Sequence, residues 1–442
     1  MNDYRFGNYL TGLRKRSGMT QQLLARKLGV TDKAVSKWEN GRSKPALAQL
    51  RKLAEIYKIS LDEISHMLKE KDMQISKIVI TGGPCAGKTT AMTWIQKEFE
   101  KKGYRVLFIP ETATELITGG VAPWTCGSNV DYQKCQVRLQ KDKESVFEQA
   151  ALTMDTDKVL IVCDRGVLDN KAYMTQEEFD AVMRVLDTNE VTERDQYDAV
   201  IHMVTAAKGA LEAYTLANNT ARTETPEQAA ALDDKLIAAW TGHPHFRVID
   251  NSTAFEAKLR RVIAEIAAFL GEPEPMEIER KFLIKYPDLL RLDALPNCSK
   301  VDMIQTYLKN QPDGTEARVR QRGQNGNFIC YRTEKRRLSD TTRVEVDRRI
   351  EIGEYVSFLA EADPDRRPIR KTRYCLTENS RYYEIDIYPE WNKQAILEIE
   401  LKSEDEEVVM PEGIKVIKEV TSDSAYSNYE MAKRMPSEGD RT

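Results

Sequence analysis

The stretch Gly82–Thr89 reads GGPCAGKT, with Thr90 following, and so fits the spacing Gly-x-x-x-x-Gly-Lys-Thr. An apolar run, Lys77-Ile78-Val79-Ile80, precedes it, and the helix-compatible Ala91-Met92-Thr93-Trp94-Ile95 follows. That strand, loop and helix order turns a motif into a phosphate site: glycines leave backbone N–H groups uncovered, and a helix N-terminus adds partial positive charge. Gly82, Gly83, Pro84, Cys85, Ala86 and Gly87 are the candidate cradle. Lys88 supplies charge at the β- and γ-phosphates, and Thr89 offers a hydroxyl to Mg²⁺, with Thr90 beside it.

Working outward, 442 residues suggest about three domains. The composition, 41% hydrophobic and 31% charged, is that of a globular chain without a membrane-length apolar run. The N-terminus lacks the apolar core of a signal peptide, which predicts a cytoplasmic protein. Seven cysteines are scattered and never stand as a CxxC pair, so neither a disulfide framework nor a zinc site is indicated. Residues 1–71 carry a net charge of +8 within a chain of net charge −4. A basic N-terminal unit on an acidic body points to a polyanion partner for that unit alone.

Residues 1–70 show the 3.6-residue apolar period in five short pieces. Thr20, Thr31 and Ser60 are N-cap candidates, and Gly18, Gly29 and Gly41 end segments. The run GMTQQLLARKLGVTDKAVSKWENGRSKPALAQLRKLAEIYKISLDEI resembles the Cro/C1-type (XRE) helix-turn-helix family. The resemblance implies that the helix near Asp32–Glu39 enters the major groove of DNA. Thr31, Asp32, Lys33, Ser36 and Lys37 then face bases and phosphates, and Gln21, Asn40, Arg42 and Lys44 face the backbone. Trp38, Val35, Leu24 and Ala25 read as core. A dimer would engage two half-sites roughly 10 bp apart. The competing reading is a docking or dimerisation module that has lost DNA binding.

Residues 73–270 alternate strand-like runs (Lys77–Thr81, Arg105–Ile109, Lys158–Cys163, Asp198–Val204, Phe246–Asp250) with helix-like ones. This rhythm predicts an α/β domain with a mainly parallel sheet and ligands at the C-terminal ends of its strands. Val159–Cys163 ends in Asp164, placed to hold the Mg²⁺ water shell, with Arg165 and Gly166 next. Glu111 is a candidate for an acceptor group or, equally, a helix N-terminal acid. Residues 208–226 read as a lid carrying Arg222, a candidate charge stabiliser or a solvated loop residue. His243 and His245 are weak metal candidates, and Asp250-Asn251 is a plausible edge for reading a base. Together these features resemble the P-loop family shared by the ribosylnicotinamide-kinase domain of NadR and the GTP-binding TRPL-translocation-defect protein of animals. The resemblance implies bound ATP or GTP. Whether the domain transfers phosphate, hydrolyses nucleotide or senses it stays open.

After the linker Gly271–Pro275 the pattern changes to period-2 alternation over 276–435, with charge on one face of successive strands. Glu277, Glu279 and Lys281 share a face. So do Arg318, Arg320 and Arg322; Thr333 and Lys335; Arg343, Glu345 and Asp347; Lys371 and Arg373; Glu384 and Asp386; and Glu398, Glu400 and Lys402. Seven strands with this device predict an antiparallel sheet closed into a barrel with the charged faces converging. Two like charges about 6 Å apart at an effective dielectric near 20 repel by roughly 3 kcal/mol, so the cations are expected to strain the empty fold until a polyphosphate binds.

This segment resembles the CYTH, or triphosphate tunnel metalloenzyme, family through EIERKF, ARVRQR, TEK, RVEV, RKTRY and LEIEL. The resemblance implies Mg²⁺ or Mn²⁺ at Glu277, Glu279, Glu398 and Glu400, and phosphate on Lys281, Arg318, Arg320, Lys335, Lys371 and Arg373. No long basic helix follows, and Pro436–Thr442 reads as disordered. The expectation is thus a three-part protein: an all-α DNA-binding unit, an α/β P-loop domain, and an antiparallel tunnel barrel with flanking helices. Its leading function is metal-dependent hydrolysis of an inorganic or nucleoside triphosphate, tied to transcription. The alternatives are a nucleotide-sensing repressor without turnover and a small-molecule kinase regulator resembling NadR.

Overall fold

The computed structural model describes residues 4–40, 43, 45–59, 73–213, 225–272, 276–309, 316–337, 342–401 and 406–438; within these, the side chains of 4, 5, 8, 16, 47, 276, 277, 336, 337 and 342–345 are not described. The chain forms two compact units, Met1–Gln74 and Ile75–Thr442.

The first unit has α1 (Tyr4–Arg16), α2 (Gln21–Leu28), α3 (Asp32–Glu39) and α4 (Leu47–Tyr57). Ser60 and the expected fifth helix lie outside the described residues. The Thr20 and Thr31 hydroxyls accept from Leu23 N and Ala34 N, satisfying orphan donors at the starts of α2 and α3. Helices this short persist only by packing, and Phe6, Leu10, Leu24, Val35, Trp38 and Leu53 supply the shared core. Glu39, a residue sequence reasoning passed over, ties three helices. It is buried, receives Arg14 Nε at 2.6 Å and Nη2 at 2.9 Å, and accepts from Gln21 Nε2 at 2.7 Å.

The second unit begins with β1 (Gln74–Thr81), α5 (Lys88–Lys101), β2 (Arg105–Ile109), α6 (Thr112–Thr118), α7 (Asn129–Ala151) and β3 (Lys158–Asp164). A 3₁₀ segment (Val167–Tyr173), α8 (Gln176–Val185), α9 (Glu190–Asp195), β4 (Ala199–Met203), α10 (Pro226–Trp240), β5 (Phe246–Ile249) and α11 (Phe255–Phe269) complete the α/β part. The strand order is β2-β3-β1-β4-β5 and every pair is parallel. Parallel strands covered on both faces must be apolar throughout, and Ile78, Val79, Ile80 and Val159–Cys163 are fully buried. The central strand β1 delivers the chain to the phosphate loop at its C-terminal end.

The remainder consists of β6 (Met276–Lys285), α12 (Leu289–Ala294), β7 (Cys298–Tyr307), β8 (Glu316–Gln324), β9 (Asn327–Arg337), β10 (Thr342–Ile350), α13 (Ile352–Leu359), β11 (Ile369–Glu378), β12 (Arg381–Ile387), β13 (Gln394–Glu400), β14 (Val416–Glu419) and α14 (Asn428–Met431). The antiparallel order is β10-β9-β8-β7-β11-β12-β13-β6-β14, and a β10–β6 pairing at Arg343↔Glu277 closes the ring. Phe282, Ile284, Leu397 and Ile399 face outward into one apolar cluster, while Lys281 and Glu398, a register pair, face the other way. Leu283, Ile396, Tyr307 and Tyr388 cluster inside with Tyr426 and Met431 of the C-terminal segment. The tail differs from expectation up to Glu438: Trp391 Nε1 donates to Pro436 O at 2.9 Å, and the Glu438 carboxylate accepts from Lys393 N at 2.7 Å.

The α/β part and the barrel meet through buried polar contacts. Asp195, at the end of α9, receives Arg194 Nε at 2.6 Å and the barrel's Arg322 Nη1 at 2.8 Å, and all three side chains are buried. Val191 of α9 packs with Ile329 and Tyr331 of β9.

Candidate functional sites

At the phosphate loop, the sequence dictates a backbone that most residues could not follow. A Cβ on Gly82 would lie 2.1 Å from Met203 O, and Gly87, with φ +92°, caps the helix that starts at Lys88. The N–H groups at the start of α5 are therefore presented outward, with Thr89 and Thr90 exposed and Lys88 buried.

Asp164 closes β3 beside this loop. Burial lifts its carboxyl above the ordinary range against the opposing pull of Lys88, and its Oδ1 is buried with no hydrogen-bond partner among the described residues. An orphaned carboxylate oxygen next to the loop suits a hydrated divalent cation, so Asp164 and Thr89 fit Mg²⁺. Arg165 adopts φ +71°, a costly conformation for a side-chain-bearing residue, and its Nε donates to Glu111 at 2.5 Å and its Nη1 to Asp169 at 3.2 Å. Burial opposes ionisation of Glu111, but Arg165 and Lys88 overcome it and hold its carboxyl at about 2. Glu111 is thus an anion oriented by Arg165 at the edge of the site.

Three supporting residues were missed from sequence. Asp233 of α10 is fully buried and accepts from Gly83 N at 2.9 Å and Thr205 N at 3.1 Å, with His202 Nε2 at 3.0 Å. Thr205 Oγ1 donates to Pro84 O. Neither the spacing nor the composition marks Asp233, because it lies 150 residues from Gly83. Other expected residues are structural. His243 Nε2 meets Tyr197 O at 3.0 Å, and burial drives its imidazole down to about 3, leaving it neutral. Asn251 donates to Thr205 O and Lys208 O and accepts from Lys258 Nζ, and Asp250 pairs with Arg261. The pair anchors this loop. Arg222 lies outside the described residues.

Inside the barrel the convergent charges exist, but the expected strain does not, because carboxylates on the same face neutralise them. Lys371 and Arg373 both pair with Asp386, Arg373 Nη2 also reaches Glu398 at 2.6 Å, Lys281 Nζ lies 2.6 Å from Glu398, and Arg320 pairs with Asp347. Arg318 is buried on the same face, whereas Lys335 is half-buried. Several buried barrel donors lack acceptors among the described residues, and they include Arg320 Nε and the amide Nε2 of Gln305, its register partner on β7. Gln305, 1% exposed, was invisible to a reading keyed on charge.

The described carboxylates expected to share a metal each have a cationic partner. Both Glu398 oxygens are engaged, Glu279 Oε1 lies 3.3 Å from Lys281 Nζ, Glu400 pairs with Arg247 of β5, and the Glu277 side chain is outside the described set. No group of three or more His, Cys, Asp or Glu among the described residues is arranged to hold a metal, and the Glu277 side chain is not among those searched. Arginine and lysine compete for the oxygens that a cation would need.

On α3, Lys33 and Lys37 are exposed, as are Thr31 and Asp32, and Ser36 is half-buried. Asn40 Nδ2 meets Ser36 Oγ at 3.3 Å, and Gln21 is committed to Glu39. Arg42 and Lys44 lie outside the described residues. The exposed lysines lie on one surface of the helix that a groove would receive.

Residues 12–64 match the helix-turn-helix family and residues 77–258 match the AAA domain family. No curated protein matches the chain. Among solved structures, the inorganic triphosphatase NE1496 is 26% identical, covering 36% of this chain and 97% of its own, with a TM-score of 0.26. HpAC1 from Hippeastrum, described as having a dominant triphosphatase activity, is 19% identical over 28% of this chain and 80% of its own, TM-score 0.21. The clp gene regulator ClgR from C. glutamicum is 21% identical over 15% of this chain and 87% of its own, TM-score 0.14. No helix among the described residues is long and apolar enough to cross a membrane. The chain therefore carries a helix-turn-helix domain and an AAA-type P-loop domain, followed by a closed antiparallel sheet.

Proposed function

We propose that the barrel binds and hydrolyses an inorganic or nucleoside triphosphate, that the P-loop holds ATP or GTP, and that both are linked to transcription through DNA binding by the N-terminal unit. The observation that carries the barrel reading is that Arg320 Nε and its neighbour Gln305 Nε2 are buried donors without acceptors among the described residues. Each unsatisfied buried donor costs about 1–3 kcal/mol, and an acceptor-rich phosphate removes that cost. Lys371 and Arg373 stand on β11, two strands along from Arg320, so one chain of phosphates reaches both sets. Arginine suits this task because its planar fork meets two phosphate oxygens at once.

At the P-loop, the α5 amides and Lys88 bind the terminal phosphates, while Asp164 and Thr89 would hold Mg²⁺, which neutralises phosphate charge. The Glu111 carboxylate, pinned by Arg165, orients whatever group approaches the γ-phosphate. At the barrel, lysine and arginine orient the substrate and stabilise charge developing on the leaving phosphate. A second reading, a nucleotide-sensing repressor without turnover, is favoured by the internal neutralisation of the lumen: Glu398, Asp347, Asp386 and Glu384 each already have a cationic partner.

Phosphate release from tripolyphosphate and from ATP, with Mg²⁺ or Mn²⁺, separates the two. Loss confined to Arg320→Met places turnover in the barrel, and loss confined to Lys88→Ala places it at the P-loop. Absence of release from either substrate, together with a ligand-induced rise in melting temperature, overturns hydrolysis and leaves the sensor.

A further inference from the structure

Helix α10 is fastened to the phosphate loop along its length and to the barrel at its end. Asp233, in its third turn, accepts from Gly83 N at 2.9 Å. Trp240, its last residue and fully buried, donates its indole N–H to Asp169 Oδ2 at 3.1 Å. The other Asp169 oxygen receives the hydroxyl of Thr81, the residue before Gly82, and Arg165 Nη1.

The next three residues each bond to a different barrel strand. Thr241 Oγ1 meets Thr377 Oγ1 of β11 at 2.9 Å, Gly242 O accepts from Arg322 Nη2 of β8 at 2.6 Å, and His243 O accepts from Tyr382 OH of β12 at 3.0 Å. Only glycine permits this approach at position 242, where φ is +108° and a Cβ would lie 2.7 Å from Ser299 Oγ of β7. By the period-2 rule, Thr377, Arg322 and Tyr382 share a strand and a face with Arg373, Arg320 and Asp386 respectively. The loop after α10 is thereby seated on one rim of the charged lumen.

We propose that α10 couples the two ligand sites, so that nucleotide at the phosphate loop and triphosphate in the barrel alter each other's affinity. The proposal rests on the reading of the barrel as a triphosphate site. A ligand that draws Gly82 and Gly83 toward its phosphates pulls on Asp233 and, through Thr81 and Asp169, on Trp240. A rigid helix passes that displacement to three strands that carry the lumen's charges. Linkage then requires the same factor in both directions.

The test is calorimetry on the full chain. Tripolyphosphate is first titrated into Lys88→Ala to obtain barrel binding alone. The dissociation constant of a non-hydrolysable ATP or GTP analogue with Mg²⁺ is next measured on the otherwise wild-type protein with and without saturating tripolyphosphate. A shift of roughly 5-fold or more is expected. Tyr382→Phe, on the barrel side, and Trp240→Phe, on the helix side, are expected to bring the shift below about 2-fold while each ligand alone binds as before. An unchanged constant in the wild type with both ligands bound overturns the coupling and leaves the barrel reading standing, as does a shift that survives both variants. Absence of tripolyphosphate binding to Lys88→Ala overturns the barrel reading and the coupling with it.

Discussion

Replacing Asp195 by asparagine removes a carboxylate that holds two buried guanidinium groups at the junction of the α/β part and the barrel. Asp195 is fully buried, and Arg194 and Arg322 are 1% and 3% exposed, with contacts of 2.6 Å and 2.8 Å. Breaking a buried pair by deleting one partner costs about 3–5 kcal/mol, because the remaining charge stays desolvated. The Ile75–Thr442 unit has about 370 residues, so at roughly 2.1 cal/mol/K per residue its unfolding entropy is about 0.8 kcal/mol/K. The expected fall in melting temperature is therefore about 4–6 °C, read by differential scanning calorimetry. Asp195→Asn combined with Arg322→Met should lose less than the sum of the two single changes, because the second removes the charge that the first strands.

The pH dependence carries the same signature. Burial opposes ionisation of Asp195, but Arg194 and Arg322 hold its carboxyl down at about 2 against an ordinary 3.8. A depressed acid contributes stability that is complete above about pH 4 and is lost as pH falls toward 2. The wild type should show that loss and the Asp195→Asn variant should not. A shift under about 1 °C in the variant, or an unchanged acid limb, would refute the account of a junction held by this carboxylate.

Lys371 gives a second titration. Burial and the neighbouring Arg373 push its ammonium down to about 8 from 10.5 despite Asp386, so tripolyphosphate affinity should weaken as pH rises through 8. Across about pH 8–10.5 the unfolded chain binds a proton that the folded one does not, so this residue's contribution to stability improves with rising pH, and Lys371→Met should abolish both trends. Asp233→Ala should lower analogue affinity at the P-loop by about 10-fold or more, measured by calorimetry, since Gly83 N and Thr205 N lose their acceptor. Lys33→Ala and Lys37→Ala should weaken DNA binding with little change in melting temperature, each reducing the slope of log K against log salt by up to about 0.9, as followed by fluorescence anisotropy.

Much of this molecule is legible in its sequence because the signals are local. The phosphate loop is a run of nine residues whose glycines, lysine and flanking apolar strand all belong to one turn of chain. Period-2 charge from Lys281 to Glu398 marks the inward face of each strand, since alternation is a property of the single strand. Capping threonines and apolar spacing mark α2 and α3 in the same way. What these patterns cannot carry is pairing. The cations and carboxylates of the lumen were each visible, yet only the register of β11 beside β12 puts Arg373 against Asp386 and removes the expected repulsion.

Neutral or distant partners were out of reach for the same reason. Gln305 has no charge to announce it, Asp233 reaches Gly83 only once α10 lies behind the loop, and the Arg247 that meets Glu400 comes from β5, far away in sequence. Local residue pattern is enough to mark which faces are polar, where the phosphate loop turns, and that three kinds of unit follow one another. Tertiary structure alone decided which charges neutralise which, that Asp195 and the Thr241–His243 loop seat the α/β part on the barrel, and which buried donors are left wanting an acceptor. Local pattern is fixed by covalent geometry within a few residues, whereas electrostatic partnership depends on distances that only folding sets.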